Sequence, residues 1–549
     1  MWSQIYDPFN NVWLSTMAAA IPVVVMLAAL AFFHIKAHIA ALMGLVAALV
    51  VAIWGFTMPA NIAVSSALYG AAYGLFPIGW IILNVIFLYQ LTDRKGQFTI
   101  LRESIAGISS DRRLQLLLIA FSFGAFFEGA GGFGTPVAVT GAMLIGLGFA
   151  PLAASGLSLI ANTAPVAYGA LGTPIIALAA VTGLDMLELS GMVGRQLPLF
   201  SLIVPFWLIW AFCGFRGMLA IWPAILIAGL AFAVPQYLIS NYHGPWLVDV
   251  GAAVCSMVCL TVFLRFWQPK DIWTSAAGNF EGGDSEASVG GGHNYTRKEI
   301  MNAWTPWLIL SVIVLLWGIP EWKKYLDSIS LIKIEWANLH MLVQKMPPVA
   351  ATPKIEEAIF KLNWLSATGT GIFIASVVSA FLMGYRVREM LAVYWDTLKL
   401  LRYSLLTIAA MLALGYATRY SGVDSTLGLA FANTGVLYPF FGTLLGWLGV
   451  ALTGSDTASN VLFGGLQRTS AEQLGLSPVL MAAANSSGGV MGKMVDAQSI
   501  VVASTATKWY GHEGAILRYV FFHSIALAVL VGLLVTLQAY VHPFTLLVK

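Results

Sequence analysis

The sequence predicts an all-α polytopic membrane protein with about 12 transmembrane helices and two re-entrant hairpins, arranged in two inverted-topology repeats. Of its 549 residues, 59% are hydrophobic and 10% are charged, and the hydrophobic residues form runs long enough to cross a bilayer. Two runs are interrupted by small polar stretches, each with one carboxylate, at matching positions of two halves. Interrupted segments at matching positions are typical of secondary transporters, whose substrate sites lie at broken helices.

A constant spacing relates the two halves of the chain. Tyr89 and Tyr416 lie 327 residues apart, and Pro151 and Pro478 are separated by the same number of residues. We interpret this spacing as an internal duplication.

The positive residues predict the topology. Most Lys and Arg between the apolar runs fall on one side of the predicted bilayer, which we assign as cytoplasmic, with both termini outside. Segment 96–113 carries three Arg, whereas its counterpart 422–435 carries no Lys or Arg. The equivalent segments are therefore expected on opposite sides of the membrane, which makes the repeats inverted.

The predicted elements follow in chain order. Apolar runs long enough to cross lie near residues 14–34, 38–58, 67–91, 152–181, 197–214, 217–239, 247–267, 303–320, 364–385, 402–420, 478–506 and 516–541. The chain divides into residues 1–66 (N-terminal helices), 67–214 (first repeat), 215–400 (connecting helices) and 401–549 (second repeat). Within these segments we expect hairpin 1 at 114–148, a broken helix at 152–181, a cytoplasmic linker at 268–303, an outer loop at 321–363, hairpin 2 at 436–470 and a second broken helix at 478–506.

The composition and the short motifs exclude several classes of function. The net charge is +3, and Lys and Arg lie between apolar runs rather than in one patch, so no nucleic-acid partner is expected. Three cysteines do not make a disulfide framework. The sequence has no metal-ligand spacing, P-loop or GxSxG motif. We therefore expect no metal, no cofactor and no enzymatic activity.

The two interruptions are the predicted hairpin tips. The first reads FEGAGGFGTP (127–136) and contains Glu128, and the second reads TGSDTASN (453–460) and contains Asp456. Irregular backbone at membrane depth must be buried in protein or line a cavity, so we expect both tips to meet at a substrate site. Because intramembrane acids are costly and usually functional, these two are candidate proton-coupling groups. The alternative is that each acid caps a helix or ties its hairpin to a neighbour.

A broken segment after each tip, NTAPVAYGALGTP and NSSGGVMGKM, supplies further candidates. Lys493 is the cation of the second segment, and it either contacts a substrate carboxylate or pairs with Glu128, Asp456 or Asp496. Glycines and helix starts direct N–H groups toward a monocarboxylate, and hydroxyl and amide groups suit a hydroxy acid. The candidate substrate-binding residues are Gly129, Gly131, Gly132, Asn162, Thr163, Thr453, Gly454, Ser455, Thr457, Asn460, Asn485, Ser486 and Lys493.

Five motifs resemble those of the lactate permease family, which comprises bacterial lactate and glycolate uptake proteins: FFEGAGGFGTPVA, LSLIANTAPVAYGALGTPI, MVGRQLP, GWLGVALTGSDTASN and GGVMGKM. The resemblance covers essentially the whole chain. It implies import of L-lactate, D-lactate or glycolate together with protons across the bacterial inner membrane. That family is similar to a superfamily of ion transporters with elevator-type movement, which implies a homodimer in the lipid bilayer.

Three alternatives to proton symport stay open at this point. A sodium-coupled carrier of another small carboxylate would use main-chain carbonyl groups at the broken helices. A passive channel would not accumulate its substrate. An integral membrane enzyme would need a nucleophile–base pair or a metal cluster.

Overall fold

The computed structural model describes residues 1–31, 33, 35–106, 108–130, 132, 135–274, 295–350, 352–509 and 512–548. In this part of the chain, eight helices are long and apolar enough to cross a membrane, or ten if each of two bent helix pairs is one span. The chain is therefore a predominantly helical, multi-pass membrane protein. Two of the twelve predicted crossings correspond to shorter apolar helices, Val12–Met26 and Thr368–Leu382.

The N-terminal part and the first half contain the short strand β1 (Trp2–Ser3) and eleven helices. These helices are α1 (Val12–Ala31), α2 (Ala37–Val50), α3 (Ala60–Tyr73), α4 (Trp80–Arg94), α5 (Gln97–Ala106), α6 (Arg112–Leu116), α7 (Gly124–Ala130), α8 (Thr135–Gly146), α9 (Pro151–Ala161), α10 (Gly169–Thr182) and α11 (Met186–Ala220). Three π-helical turns, Val51–Gly55, Gly74–Gly79 and Leu117–Phe123, extend or join these helices.

The connecting part and the second half contain twelve helices and four short strands among the described residues. In chain order they are α12 (Trp222–Tyr242), α13 (Val248–Phe266), α14 (Arg297–Gly318), α15 (Pro320–Ser330), β2 (Leu331–Glu335), β3 (Val343–Lys345), β4 (Lys354–Glu356), β5 (Ile359–Asn363), α16 (Thr368–Leu382), α17 (Val387–Ser421), α18 (Val423–Ala432), α19 (Tyr438–Thr453), α20 (Asp456–Gln473), α21 (Pro478–Gly492), α22 (Ala497–Ala506) and α23 (Glu513–Tyr540).

Helices of the two halves begin at the spacing found in the sequence. Helices α9 and α21 start at Pro151 and Pro478, and α11 and α23 start at Met186 and Glu513, so both pairs are 327 residues apart. Helices α6 to α8 lie in the segment predicted as hairpin 1, in which Arg112–Ala130 is long and apolar enough to cross a membrane, and α19 and α20 lie in the segment predicted as hairpin 2. Between the halves, α10 packs against α20, and α11 packs against α21. Because α7 also packs against α10, the tips of both predicted hairpins lie at the same interface.

The segment 321–363, predicted as an outer loop, contains most of α15 and the four short strands β2 to β5. Strand β2 pairs antiparallel with β5, and β3 pairs antiparallel with β4 and parallel with β1. The outer-loop prediction considered only charge and hydropathy, which do not detect the alternation of apolar and charged residues in β2 (LIKIE). Pairing with β1 places the N-terminal strand and this segment on the same side of the molecule.

Glu356 on β4 connects the small three-stranded sheet of β1, β3 and β4 to the helices. Its carboxylate lies 3.2 Å from Lys345 Nζ on β3 and 3.3 Å from an Arg419 guanidinium nitrogen at the end of α17. Burial alone would raise the pKa of Glu356, but Lys345 and Arg419 lower that pKa below its ordinary value. The sheet is therefore fixed to the end of a long helix of the second half.

The predicted cytoplasmic linker at 268–303 is shorter than expected at its C-terminal end. Residues 275–294 lie outside the described residues. Helix α14 already begins at Arg297, because Thr296 and Glu299 form a capping box at its start. The linker prediction extended to residue 303 because it followed hydropathy. Hydropathy does not detect a first helical turn that consists of polar residues.

Glycines allow α19 and α21 to pack with their backbones close together. A Cβ atom added at Gly446 on α19 would lie 2.1 Å from the Asn485 carbonyl oxygen, and one at Gly488 on α21 would lie 2.3 Å from the Thr443 carbonyl oxygen. Small residues at helix contacts are the usual means of close packing within membranes. The main chain of α21 therefore depends on these glycines for its position beside hairpin 2.

We predict that Gly446→Ala lowers the thermal unfolding temperature of the purified protein in detergent. The added methyl group meets main-chain atoms that cannot move away independently, and overpacking of this kind costs about 1–3 kcal/mol. Gly514→Ala is the matched control, because a Cβ at Gly514 on α23 would have no neighbour within 4 Å. An unfolding temperature of Gly446→Ala equal to that of the control would contradict this packing.

Candidate functional site

A cavity of about 160 Å³ lies where the two hairpin tips meet. Its wall is formed by the tip of hairpin 1, the start of α10, the tip of hairpin 2, the C-terminal end of α21 and the middle of α17. The charged residues that line it are Glu128, Asp456 and Lys493, as far as the described residues go. A cavity of about 150 Å³ can hold benzene, so this one has room for a molecule of about six heavy atoms.

Glu128 lies in the last turn of α7 and is only 4% exposed. Its Oε2 atom has no hydrogen-bond partner among the described residues. A Cβ atom at Gly169 would lie 2.5 Å from Glu128 Oε1, so the glycine that begins α10 makes room for this carboxylate. The acid is thus buried at the cavity wall, with space made for one carboxylate oxygen and no partner among the described residues for the other.

The break between α9 and α10 has strained backbone at the cavity. Ala170 and Leu171 have φ angles of 45° and 55°, and Gly172 follows at 80°. A left-handed conformation costs a non-glycine residue about 1 kcal/mol or more, and such strain often accompanies functional sites. Since Ala170 lines the cavity, the second half of the broken helix begins directly at the wall.

The tip of hairpin 2 presents a helix N-terminus to the cavity. Gly454 ends α19 in a left-handed conformation, and the Ser455 side chain caps α20 by accepting a hydrogen bond of 3.2 Å from the Ala458 amide. Thr453, Gly454, Ser455, Asp456, Thr457 and Ala458 all line the cavity. The first amide groups of a helix have no intrahelical partner and carry partial positive charge, which favours an anion.

Asp456 is the first residue of α20, and its carboxylate is only partly satisfied. Its Oδ2 accepts hydrogen bonds from Ser486 Oγ at 2.5 Å and from Asn460 Nδ2 at 3.2 Å. Its Oδ1 has no partner in the described part of the chain. The carboxylate can therefore accept a proton at Oδ1 without first losing a hydrogen bond.

Lys493 ends α21 and points to hairpin 2. Its ammonium donates a hydrogen bond of 2.5 Å to the Gly454 carbonyl oxygen and lies 3.5 Å from Asp496 Oδ2. Asp496 caps the start of α22, so this pair spans a helix break rather than one turn of a helix. Because an ammonium has three donors, one N–H of Lys493 is left for a ligand in the cavity. Of the partners considered from sequence, Asp496 is the one found here, and Lys493 still lines the cavity.

Asparagines behind the cavity hold the broken helices together. Asn460 Nδ2 donates to the Pro174 carbonyl oxygen of α10 at 3.2 Å, and Asn485 Nδ2 donates to Asn460 Oδ1 at 2.9 Å. Gln467 Nε2 in turn donates to Asn485 Oδ1 at 3.1 Å. These bonds connect α10, α20 and α21, so the asparagines position the cavity wall instead of forming it.

The structure thus divides the predicted substrate-binding residues into two groups. Those that line the cavity are Gly132, Thr453, Gly454, Ser455, Thr457 and Lys493. Those that lie away from its lining are Gly129, Asn162, Thr163, Asn460, Asn485 and Ser486. Gly131 lies outside the described residues. Both predicted proton-coupling acids are at the wall.

Sequence reasoning missed the contribution of α17. Ser404, Thr407 and Met411 line the cavity. The three residues are spaced by three and four positions and therefore share one face of the helix. Two hydroxyl residues on one face of the apolar run 402–420 were an available signal.

The whole chain is similar to known permeases. The model of a family described as L-lactate permease matches residues 15–542. The chain is 46% identical over 550 residues to the glycolate permease GlcA of Escherichia coli K12, with 98% of each chain covered. It is 44% identical over 547 residues to the L-lactate permease of the same organism, again with 98% of each covered. The L-lactate permease of Bacillus subtilis 168 is 45% identical over 561 residues, which cover 98% of this chain and 99% of the relative.

Among solved structures, the YdaH transporter of Alcanivorax borkumensis aligns with a TM-score of 0.45 at 12% identity, covering 86% of each chain. The family model and the relatives at 44–46% identity carry the assignment. The chain belongs to the L-lactate permease family, a family of transporters rather than enzymes.

Proposed function

We propose that this protein is a secondary active transporter that imports L-lactate, and also D-lactate or glycolate, by proton symport across the bacterial inner membrane. The relatives are named for lactate and glycolate, which are both small 2-hydroxymonocarboxylates. The observation that carries the proposal is the composition of the central cavity, where two buried acids and one lysine surround space for about six heavy atoms.

The charges at the cavity support coupling to protons. When Glu128 and Asp456 are ionised and Lys493 is protonated, these three residues of the cavity wall carry a net charge of −1. Lactate is an anion at neutral pH, because carboxyl groups of this kind have pKa values far below 7. Adding this anion to a negative, dehydrated site is unfavourable, so binding requires that at least one acid takes up a proton. Substrate and proton then bind together and cross the membrane together.

The groups around the cavity match a 2-hydroxy acid. The third N–H of Lys493 and the first amides of α20 are donors for the carboxylate. Ser404, Thr407 and Thr457 bring hydroxyl groups to the same space and are partners for the substrate hydroxyl. A single cation suits a monocarboxylate better than a dicarboxylate.

We further propose the topology expected from sequence: about twelve crossings in two inverted repeats, both termini outside, and a homodimer in the bilayer. The equal spacing of helix starts in the two halves supports the duplication. The pairing of β1 with β3 supports a common side for the N-terminus and the segment 321–363.

Sodium coupling is the alternative that the geometry disfavours. A sodium ion at a broken helix needs free main-chain carbonyl oxygens. The Gly454 carbonyl, at the tip of hairpin 2, already accepts a hydrogen bond from Lys493. A cation at this position would also be repelled by the ammonium group.

The proposal is tested by uptake of labelled L-lactate into proteoliposomes under an imposed gradient. An inward proton gradient without sodium is expected to accumulate lactate above its external concentration, and a protonophore is expected to abolish the accumulation. Protein-free liposomes are the control. Accumulation that requires sodium would contradict proton symport, and equilibration without accumulation would indicate a channel.

Glu128→Gln is predicted to lower proton-driven uptake by about tenfold or more while lactate counterflow at equal pH is retained. Glutamine keeps the shape of the side chain, so the cavity persists, but it cannot carry a proton. Glu188→Gln is the matched control, since Glu188 lies exposed in the first turn of α11. Loss of both uptake and counterflow in a folded Glu128→Gln protein would place Glu128 in substrate binding instead.

A further inference from the structure

Asp249 is a buried acid that the site described above does not include. It lies in the first turn of α13 and is 1% exposed. Neither of its carboxylate oxygens has a hydrogen-bond partner among the described residues. It is neither a member of the hairpin tips nor a residue of the cavity wall.

Asp111, a buried acid elsewhere in the chain, differs from Asp249 in its hydrogen bonding. Asp111 is equally buried, but it accepts hydrogen bonds from the Arg113 amide at 2.9 Å and from the Arg113 guanidinium at 2.7 and 3.1 Å. It also accepts one from the Trp273 amide at 3.0 Å. Asp111 therefore holds the neighbouring residues in place by hydrogen bonds, whereas Asp249 makes no side-chain hydrogen bond to the described residues.

The backbone of hairpin 1 lies directly against Asp249. A Cβ atom added at Gly129 would lie 2.7 Å from Asp249 Cβ and 3.0 Å from the Val250 amide nitrogen. Gly129 follows Glu128 in the sequence, and α7 packs against α13 along this contact. Glu128, which lines the cavity, and Asp249 therefore lie on two backbone segments that are in close contact.

Helix α7, which packs against α13, carries one acidic residue, Glu128. The helices α12 and α10 and the π-helical turn Leu117–Phe123, which also pack against α13, contain no Asp, Glu, Lys, Arg or His. Tyr168, just before α10, is a further titratable group near Asp249, and its hydroxyl donates to the Ser190 carbonyl at 2.7 Å. The tyrosines of α12, Tyr237 and Tyr242, are exposed on the outside of the molecule.

Burial and helix position have opposite effects on the protonation of Asp249. An ionised carboxylate without a partner is strongly unfavourable away from water, which favours the protonated form. The N-terminal end of α13 carries partial positive charge, which favours the ionised form. A protonated acid that donates no hydrogen bond is also costly, so neither form is stabilised by this conformation. A residue with a purely structural role would not be expected to leave this cost uncompensated.

We propose that Asp249 is a further proton-binding residue of the transport cycle, which exchanges its proton with Glu128. In the transfer, the O–H bond at Asp249 breaks and one forms at a Glu128 carboxylate oxygen, so no other reactant is needed. Glu128 faces the cavity and Asp249 lies behind it, so the pair carries a proton between the cavity and the interior of the protein. This inference rests on the proposed proton symport.

The test compares the wild type with Asp249→Asn in proteoliposomes. We expect Asp249→Asn to retain lactate counterflow at equal pH within about twofold and to lose about tenfold or more of the uptake driven by a proton gradient. Asp185→Asn is the matched control: Asp185 caps α11 at the surface, and Asn caps helices equally well. Thermal unfolding of each purified variant verifies folding, and Asp249→Ser, with a smaller side chain, is tested if Asp249→Asn does not fold.

Each result of this comparison has one meaning. Proton-driven uptake of Asp249→Asn equal to that of wild type would overturn the role of Asp249 while leaving proton symport intact. Loss of counterflow and uptake together in a folded variant would make Asp249 structural and would likewise overturn the inference. A wild-type protein that does not respond to a proton gradient would instead overturn the proposed function.

Discussion

The structure depends on satisfying main-chain polar groups where helices break inside the membrane. Away from water, a carbonyl released at a helix break needs a partner from the protein. Lys493 donates to the carbonyl of Gly454 at the end of α19, and Asn460 donates to the carbonyl of Pro174 near the start of α10. Each of these side chains lies on a different helix from the carbonyl that it binds. The hydrogen bonds that satisfy the carbonyl groups therefore also fix the helices relative to each other. The cavity between them is a consequence of this arrangement.

The same arrangement explains why the charges at the cavity are unequal. Lys493 has two partners and one spare donor, whereas Glu128 and Asp456 each keep an oxygen without a partner. The single cation cannot compensate two carboxylates and a substrate anion together. In the proposed symport, protonation of one acid is therefore the condition for binding the anion.

The predominantly helical, multi-pass fold could be predicted from the sequence because hydropathy leaves direct patterns in it. The spacing of Pro151 and Pro478 is also the spacing of the helices that they begin. The strands β1 to β5, which form one three-stranded and one two-stranded sheet, were missed because they are short and because charge and hydropathy do not reveal them. The pairing of Trp2 with Val343 joins residues too distant in sequence for local patterns to indicate.

The candidate site was predictable in part. Glycines and acids at the tips identified the location, but side-chain direction is set by packing, so the asparagines Asn460 and Asn485 were placed in the site although they lie behind it. Asp249 was missed since an acid near the end of an apolar run resembles an ordinary helix terminus. Its burial depends on the contact with Gly129, which only the assembled fold provides.

The site is best tested by a structure of the protein with L-lactate bound, determined by electron cryomicroscopy. We expect lactate in the central cavity, with its carboxylate about 3 Å from Lys493 Nζ or from the first amides of α20. Lactate bound instead in a second cavity, which is lined by Lys345, Arg419 and Arg468, with the central cavity empty, would contradict this expectation.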